Sequence, residues 1–351
     1  MKNYKRLLAA LMALCLAVGV LAGCGDKGGT PANDLTPAVS EDGTYSTPLL
    51  TMKFNCIYTA NDANYIQWEN YFKALEEATK GAVKVEMYAS ESLGTTSDTI
   101  EQAAQGEPII ANTDVAYLGN YVADFSIGNA PYVFQEAGDI RNFWESSYVQ
   151  DMEKELGETY GLKILHLGYF GTRNAITNTE VHSRADFGKL KIRCAATPMW
   201  NEVVRVLGAN AVNTAWSETY SACSQGVADG AESPYSLLYS SKLYECCPYI
   251  IETNHLYAVT NPVMSYSLFK SLPQDVQDAI DSFSHDYCPT QVQEVVDAAD
   301  VYKQLLADEG VTFIDIDKSE FIAAAAETPD HFPEWTEGMY DQIVAYLNSV
   351  R

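Results

Sequence analysis

Positive charge is what this chain has least of. Its 351 residues carry 22 Lys and Arg against 47 Asp and Glu, a formal net charge of −25. Phosphate backbones need a basic footprint, so nucleic acid is excluded as a partner. Adsorption to an anionic lipid surface is disfavoured for the same reason. Histidine is scarce: His166, His182, His255, His285 and His331 are scattered, none at metal-ligand spacing. Each reads first as a surface or internally satisfied side chain. The eight cysteines contain no CxxC pair, which leaves a zinc or thioredoxin-like site unsupported. There is no HExxH, no P-loop, no GxSxG and no obvious catalytic pair of carboxylates. Catalysis therefore has little positive support, and neither a metal nor a cofactor is expected. We find no internal repeat and, beyond residue 22, no apolar run of membrane-spanning length.

What is present begins with an export signal. "MKNYKR" is a positive n-region and "LLAALMALCLAVGVLA", residues 7 to 22, an apolar h-region too short for an ordinary span. "LAGC" follows at 21 to 24 and resembles the lipobox of bacterial lipoproteins. That resemblance implies cleavage after residue 23, a lipid on Cys24 and a mature charge of −28. Residues 24–48 are rich in Gly, Pro, Ser, Thr and Asp, a flexible linker composition. Of the remaining cysteines, Cys56, Cys194, Cys223, Cys246, Cys247 and Cys288, most are expected to be free, although an exported chain permits a bridge.

The hydrophobic fraction of the whole chain, 47%, supports a globular fold, which begins at residue 49. "LLTMKFNCI", "VKVEMYA" and "PIIANTD" read as strands, separated by helical patterns ending at Gly81 and starting near Ser97 or Asp98. Strand, helix, strand, helix, strand implies an α/β sheet with crossovers. "GLKILHLGYFG", "TRNAITN", "LKIRCA", "ANAVN" and "VADGAES" are further strand candidates, and "YIIETN" and "LYAVTNPVMSYSLF" two long ones. The C-terminal part is mainly helical, with Pro289 expected to break or kink a long helix.

Two arginines stand out. Arg173 and Arg193 lie in strand-like segments 20 residues apart. If those strands are neighbours, both guanidinium groups reach one cleft, where a planar fork matches a carboxylate. The competing possibility is that each pairs with an acid of its own chain.

Residues 49 to about 345 resemble the solute-binding proteins of tripartite ATP-independent periplasmic (TRAP) transporters. The resemblance rests on "ESLGTTSDTIEQAAQGE", "NAPYVFQEAGDIRNFWES", "GYFGTRNAITN", "RADFGKLKIRC", "LGANAVNTAWSETYSACSQGVADGAESP" and "SLPQDVQDAI", in the family's order and near its spacing. It implies a two-lobed α/β periplasmic-binding-protein-like fold, with mixed sheets, hinge strands and a long helix spanning both lobes. The expected lobes are 49–170 plus about 259–298, and 171–258 plus about 299–351. The implied function is extracytoplasmic capture of a small organic acid and delivery to an ion-gradient-driven TRAP permease, from a lipid anchor on the outer side of a bacterial membrane. By the same resemblance Arg193 grips the carboxylate, Arg173 assists and Trp216 packs on the ligand. Ser233 stands where the family often has a ligand-binding Asn, and Asp114 where some members place a polar contact. Tyr58 and Tyr235, with Tyr65, Tyr169 and Tyr257, lie near segment ends, and a subset lining the cleft would suit a hydroxylated or aromatic ligand. An exported lipoprotein hydrolase or lyase, or a sensor partner of a membrane kinase, are the alternative readings.

Overall fold

A parallel β-α-β-α-β run opens the fold. In the computed structural model, which describes residues 39–351, β1 (Leu50–Asn55) lies between β2 (Val83–Tyr88) and β3 (Ile109–Thr113), all parallel. The crossovers are α1 (Ala63–Ala78) and α2 (Thr96–Ala104). Helix α1 buries Trp68, Tyr71, Phe72 and Leu75, a stripe at helical spacing. Helix α2 is capped by a reciprocal Thr95–Asp98 box, so Thr95, not Ser97 or Asp98, is its cap. The lipobox and the first part of the linker lie outside the described residues. The linker's end is already docked: Tyr45 packs on the core and its N–H donates to Lys80 O at 2.9 Å.

Short helices α3 (Val115–Leu118), α4 (Gly138–Trp144) and α5 (Ser147–Tyr160) lead to β4 (Leu162–Ile164) and β5 (Gly168–Thr177). Then come β6 (Lys191–Cys194), α6 (Pro198–Leu207), β7 (Asn210–Asn213), α7 (Thr219–Ser224), β8 (Gly230–Pro234) and α8 (Tyr235–Ser240). The strand order is β2-β1-β3-β9-β5-β8-β6-β7. Strand β9 (Tyr249–Ser265) joins the two parts of this mixed sheet. Its C-terminal residues pair with β3 and β4, and its N-terminal residues with β5 and with β10 (Thr312–Ile314).

Two sequence expectations change here. The two long strand candidates are one 17-residue strand, and the β5 pairing jumps from Arg173/Leu256 to Ala175/Ile251. Residues 252–255 bulge out at that jump, with Asn254 at φ 42 and its N–H held by Asn174 Oδ1 at 2.9 Å. After α9 (Tyr266–Ser271), helix α10 (Gln274–Asp308) then runs unbroken through Pro289. Side chains on either side of the proline pin it to β5. Gln291 accepts from Tyr169 N at 2.9 Å and donates to Tyr169 O at 2.6 Å, and Cys288 donates to Leu167 O at 3.5 Å. Those buried contacts offset the hydrogen bond that proline cannot make. Helices α11 (Ser319–Ala325) and α12 (Met339–Val350) complete the chain.

Candidate functional site

Strands β5 and β6 are not neighbours. Strand β8 lies between them, antiparallel to β5 and parallel to β6. It fits because Gly230 has no side chain: a Cβ there would meet Ile176 O at 2.1 Å. This inserted strand decides how the two arginines differ, because it brings Glu232 to Arg173. Arg173 Nε donates to Glu232 Oε2 at 2.5 Å, and Nη2 donates to Oε1 at 2.7 Å and to the Glu232 carbonyl at 2.8 Å. His255, on the β9 bulge, lies 3.2 Å from the same carboxylate through Nε2, while its Nδ1 meets Thr253 Oγ1 at 2.8 Å. Burial alone would raise the Glu232 carboxyl. The Arg173 charge and the His255 and Arg173 hydrogen bonds outweigh it and hold the group below its ordinary value. Arg173 is thus internally neutralised, with its guanidinium carbon 4.4 Å from the Trp200 ring centre.

Arg193 is different. It is only 4% exposed, yet its hydrogen bonds within the chain go to one backbone carbonyl, Thr214 O, at 3.1 Å from Nε and 2.5 Å from Nη2. The Trp216 ring covers it at 5.1 Å. No carboxylate of the described residues lies within 4 Å of it. Burial lowers its pKa from the usual arginine value, opposed by the Tyr117 and Glu232 fields.

Both guanidinium groups open on one cavity. Tyr58, Asp114, Trp200, Trp216 and Glu232 also line it, with Glu91, Tyr117 and Phe170. Asp114 caps α3: Oδ1 accepts from Ala116 N at 2.8 Å and Tyr117 N at 3.2 Å, and Oδ2 accepts from Trp200 Nε1 at 3.2 Å. Desolvation raises its carboxyl to about 6, against the lowering field of Arg173. Trp200 is placed by the Thr197 cap of α6, where its N–H meets Thr197 Oγ1 at 3.2 Å. Glu91 reaches across: Oε2 accepts from Ser217 N at 3.1 Å.

Five of the seven candidate binding residues therefore meet in one cavity. Ser233 and Tyr235 are not among its lining residues. Ser233 is fully buried, because alternation along β8 sends Glu232 and Ser233 to opposite faces. Tyr235 donates to Glu252 at 2.7 Å and borders a separate cavity against α10. Sequence reasoning missed Glu232, Glu91 and Trp200. Glu232 stood beside Ser233, which was chosen, and the period-two pattern of β8 was the available signal.

The family model of bacterial extracellular solute-binding proteins, family 7 (DctP), matches residues 54–334. The chain belongs to this family. It is a TRAP-type solute-binding protein and not an enzyme. The sialic acid-binding periplasmic protein SiaP of Vibrio cholerae is 24% identical over 292 residues, 83% of this chain and 88% of that protein. A TRAP solute-binding protein of Ochrobacterium anthropi with bound L-fuconate superposes with a TM-score of 0.82 at 26% identity, covering 85% of this chain and 99% of that one. One from Fusobacterium with bound sn-glycerol-3-phosphate gives 0.81 at 28% identity, covering 86% and 98%.

Proposed function

We propose that this protein captures a small organic acid, holds its carboxylate on Arg193, and delivers it to a TRAP permease driven by an ion gradient. The observation that carries this is the buried Arg193 guanidinium with no carboxylate partner. An unpaired buried ion costs several kcal/mol, and a ligand carboxylate supplies the missing charge through parallel charge-assisted bonds. The similar proteins with sialic acid and L-fuconate as ligands support an acid in this position. We assign the walls of the cavity to two lobes, 49–170 with 259–298 and 171–258 with 299–351, that close over the ligand. Cys24 is the proposed lipid anchor that keeps the domain outside the cell membrane.

A thermal-shift screen against organic acids, followed by calorimetry of the best acid on wild type and Arg193→Ala, tests the reading. An acid that binds wild type and Arg193→Ala within threefold of each other removes Arg193 from the site. Small-angle scattering should show a smaller radius of gyration with ligand, and an unchanged radius argues against closure.

A further inference from the structure

The cavity wall holds one unpaired cation but two further carboxyls. Arg173 and Glu232 neutralise each other, which leaves Arg193 with Glu91 and Asp114. Neither of these acids lies within salt-bridge distance of Arg193. Both are held firmly. Ser90 and Glu91 adopt consecutive left-handed conformations, φ 56 and 55, unusual for residues with side chains. Ser90 N–H donates to Tyr58 O and Glu91 N–H to Cys56 O, each at 2.8 Å, which secures the strained pair. The Glu91 carboxylate is then fixed by Thr96 N at 3.2 Å on Oε1 and by Ser217 N on Oε2. Asp114 is fixed by the two α3 amides and the Trp200 indole. An ionised carboxylate only accepts hydrogen bonds, and Glu91 Oε2 and Asp114 Oδ2, each with one donor, have room for a second.

We infer that the ligand is a monocarboxylate whose body carries hydrogen-bond donors, hydroxyl or ammonium groups, and that dicarboxylates are rejected. This rests on the organic-acid reading of the same site. A second carboxylate would meet a wall already holding Glu91 and Asp114, with no free cation to pair with it. Like charges sharing one site repel. Donor groups instead satisfy the spare acceptor capacity of both acids, while the Trp200 and Trp216 rings border the same space and can cover the carbon skeleton.

The test is a thermal-shift library at pH 7.5 containing aldonates, uronates, amino acids, four- to six-carbon dicarboxylates, aldarates and unsubstituted fatty acids. Calorimetry then compares the best hit with its analogue carrying a second carboxylate. The expected result is that the hits are donor-bearing monocarboxylates and that the second carboxylate weakens binding at least tenfold. Aldonate hits point to hydroxyl donors, and amino acid hits to an ammonium. Glu91→Gln, which keeps the shape and removes the charge, should narrow that gap at least threefold. A dicarboxylate or aldarate binding as tightly as its monoacid overturns the inference, as does an unchanged gap in Glu91→Gln. If that dicarboxylate is lost in Arg193→Ala, the organic-acid reading survives. If only uncharged solutes, or none of these acids, raise the melting temperature, both readings fall.

Discussion

Arg173 and Arg193 are the same residue type, 20 positions apart, on strands separated by one other, and they face the same cavity. Arg173 is met by a bidentate glutamate that is itself braced by His255. Arg193 is met by a carbonyl and an indole face. The difference comes from strand order. Strand β8 presents Glu232 toward β5, and toward β6 it presents only the backbone of Gly230 and Ala231. One guanidinium is consumed in holding the wall together and the other is left for a ligand. Burial of an arginine therefore says little about its role until its counter-charge has been found.

The sharpest way to break this comparison is to truncate Arg173. Arg173→Ala strands Glu232, 1% exposed, with His255 as its remaining side-chain partner. Breaking a buried pair from one side costs about 3–5 kcal/mol. Urea denaturation should show that loss, and Glu232→Gln in the same background should recover part of it. Unchanged stability with abolished binding would give Arg173 the ligand-gripping role instead.

Arg193→Ala should do the reverse. Stability should change little, and the affinity for the best acid should fall by about 2–5 kcal/mol, since the bound anion loses its partner. That is roughly 30- to 5000-fold in Kd. Arg193→Lys keeps the charge and loses the fork, so its loss should be smaller. Calorimetry on the three proteins gives the ordering.

How much of this could be read beforehand depends on the range of the interactions. Alternation in "LKIRC" placed Arg193 on a strand, a local effect. The strand order is set by contacts between distant segments, so β8 between the arginines was not legible. Nor was the face to which Glu232 points: alternation says that residues 232 and 233 differ in direction, and burial against β5 decides which faces the cavity. Family likeness drew the choice to Ser233. Pro289 misled for a related reason, because a local rule about proline met tertiary anchors at Cys288 and Gln291. The β9 bulge carries no glycine or proline at residues 252–255 to announce it.

A smaller effect probes the aromatic cover of Arg193. Trp216 is 9% exposed, lines the cavity and anchors its indole N–H on Ser241 Oγ at 3.2 Å. Trp216→Ala should weaken binding by about 1–3 kcal/mol through lost apolar contact, and Trp216→Phe should recover part of it. Ligand should also perturb tryptophan fluorescence. A loss of about 3–5 kcal/mol in stability with unchanged affinity of the folded fraction would make Trp216 a core residue instead.

The smallest expected effect concerns Asp114, which shares the cavity with both arginines. Desolvation raises its carboxyl from 3.8 to about 6, with Arg173 pulling the other way. A carboxyl whose folded-state pKa exceeds its unfolded value binds its proton more tightly when folded. The stabilisation from that proton is complete below about 3.8 and is lost as pH rises through about 6. Tyr117, Arg193, Glu91 and Glu232 face the same space and remain in the variant. His255, whose pKa desolvation lowers, is common to both proteins. Asp114→Asn removes the titration and keeps an acceptor for the α3 amides. Relative to wild type, the variant should gain about 1 kcal/mol between pH 4 and pH 7.5, a value reduced for the partial exposure of the residue. Urea midpoints of the two ligand-free proteins at both pH values measure it. A difference that does not move with pH would show that Asp114 ionises normally, and that Arg173, although paired with Glu232, still holds a second carboxylate in the cleft.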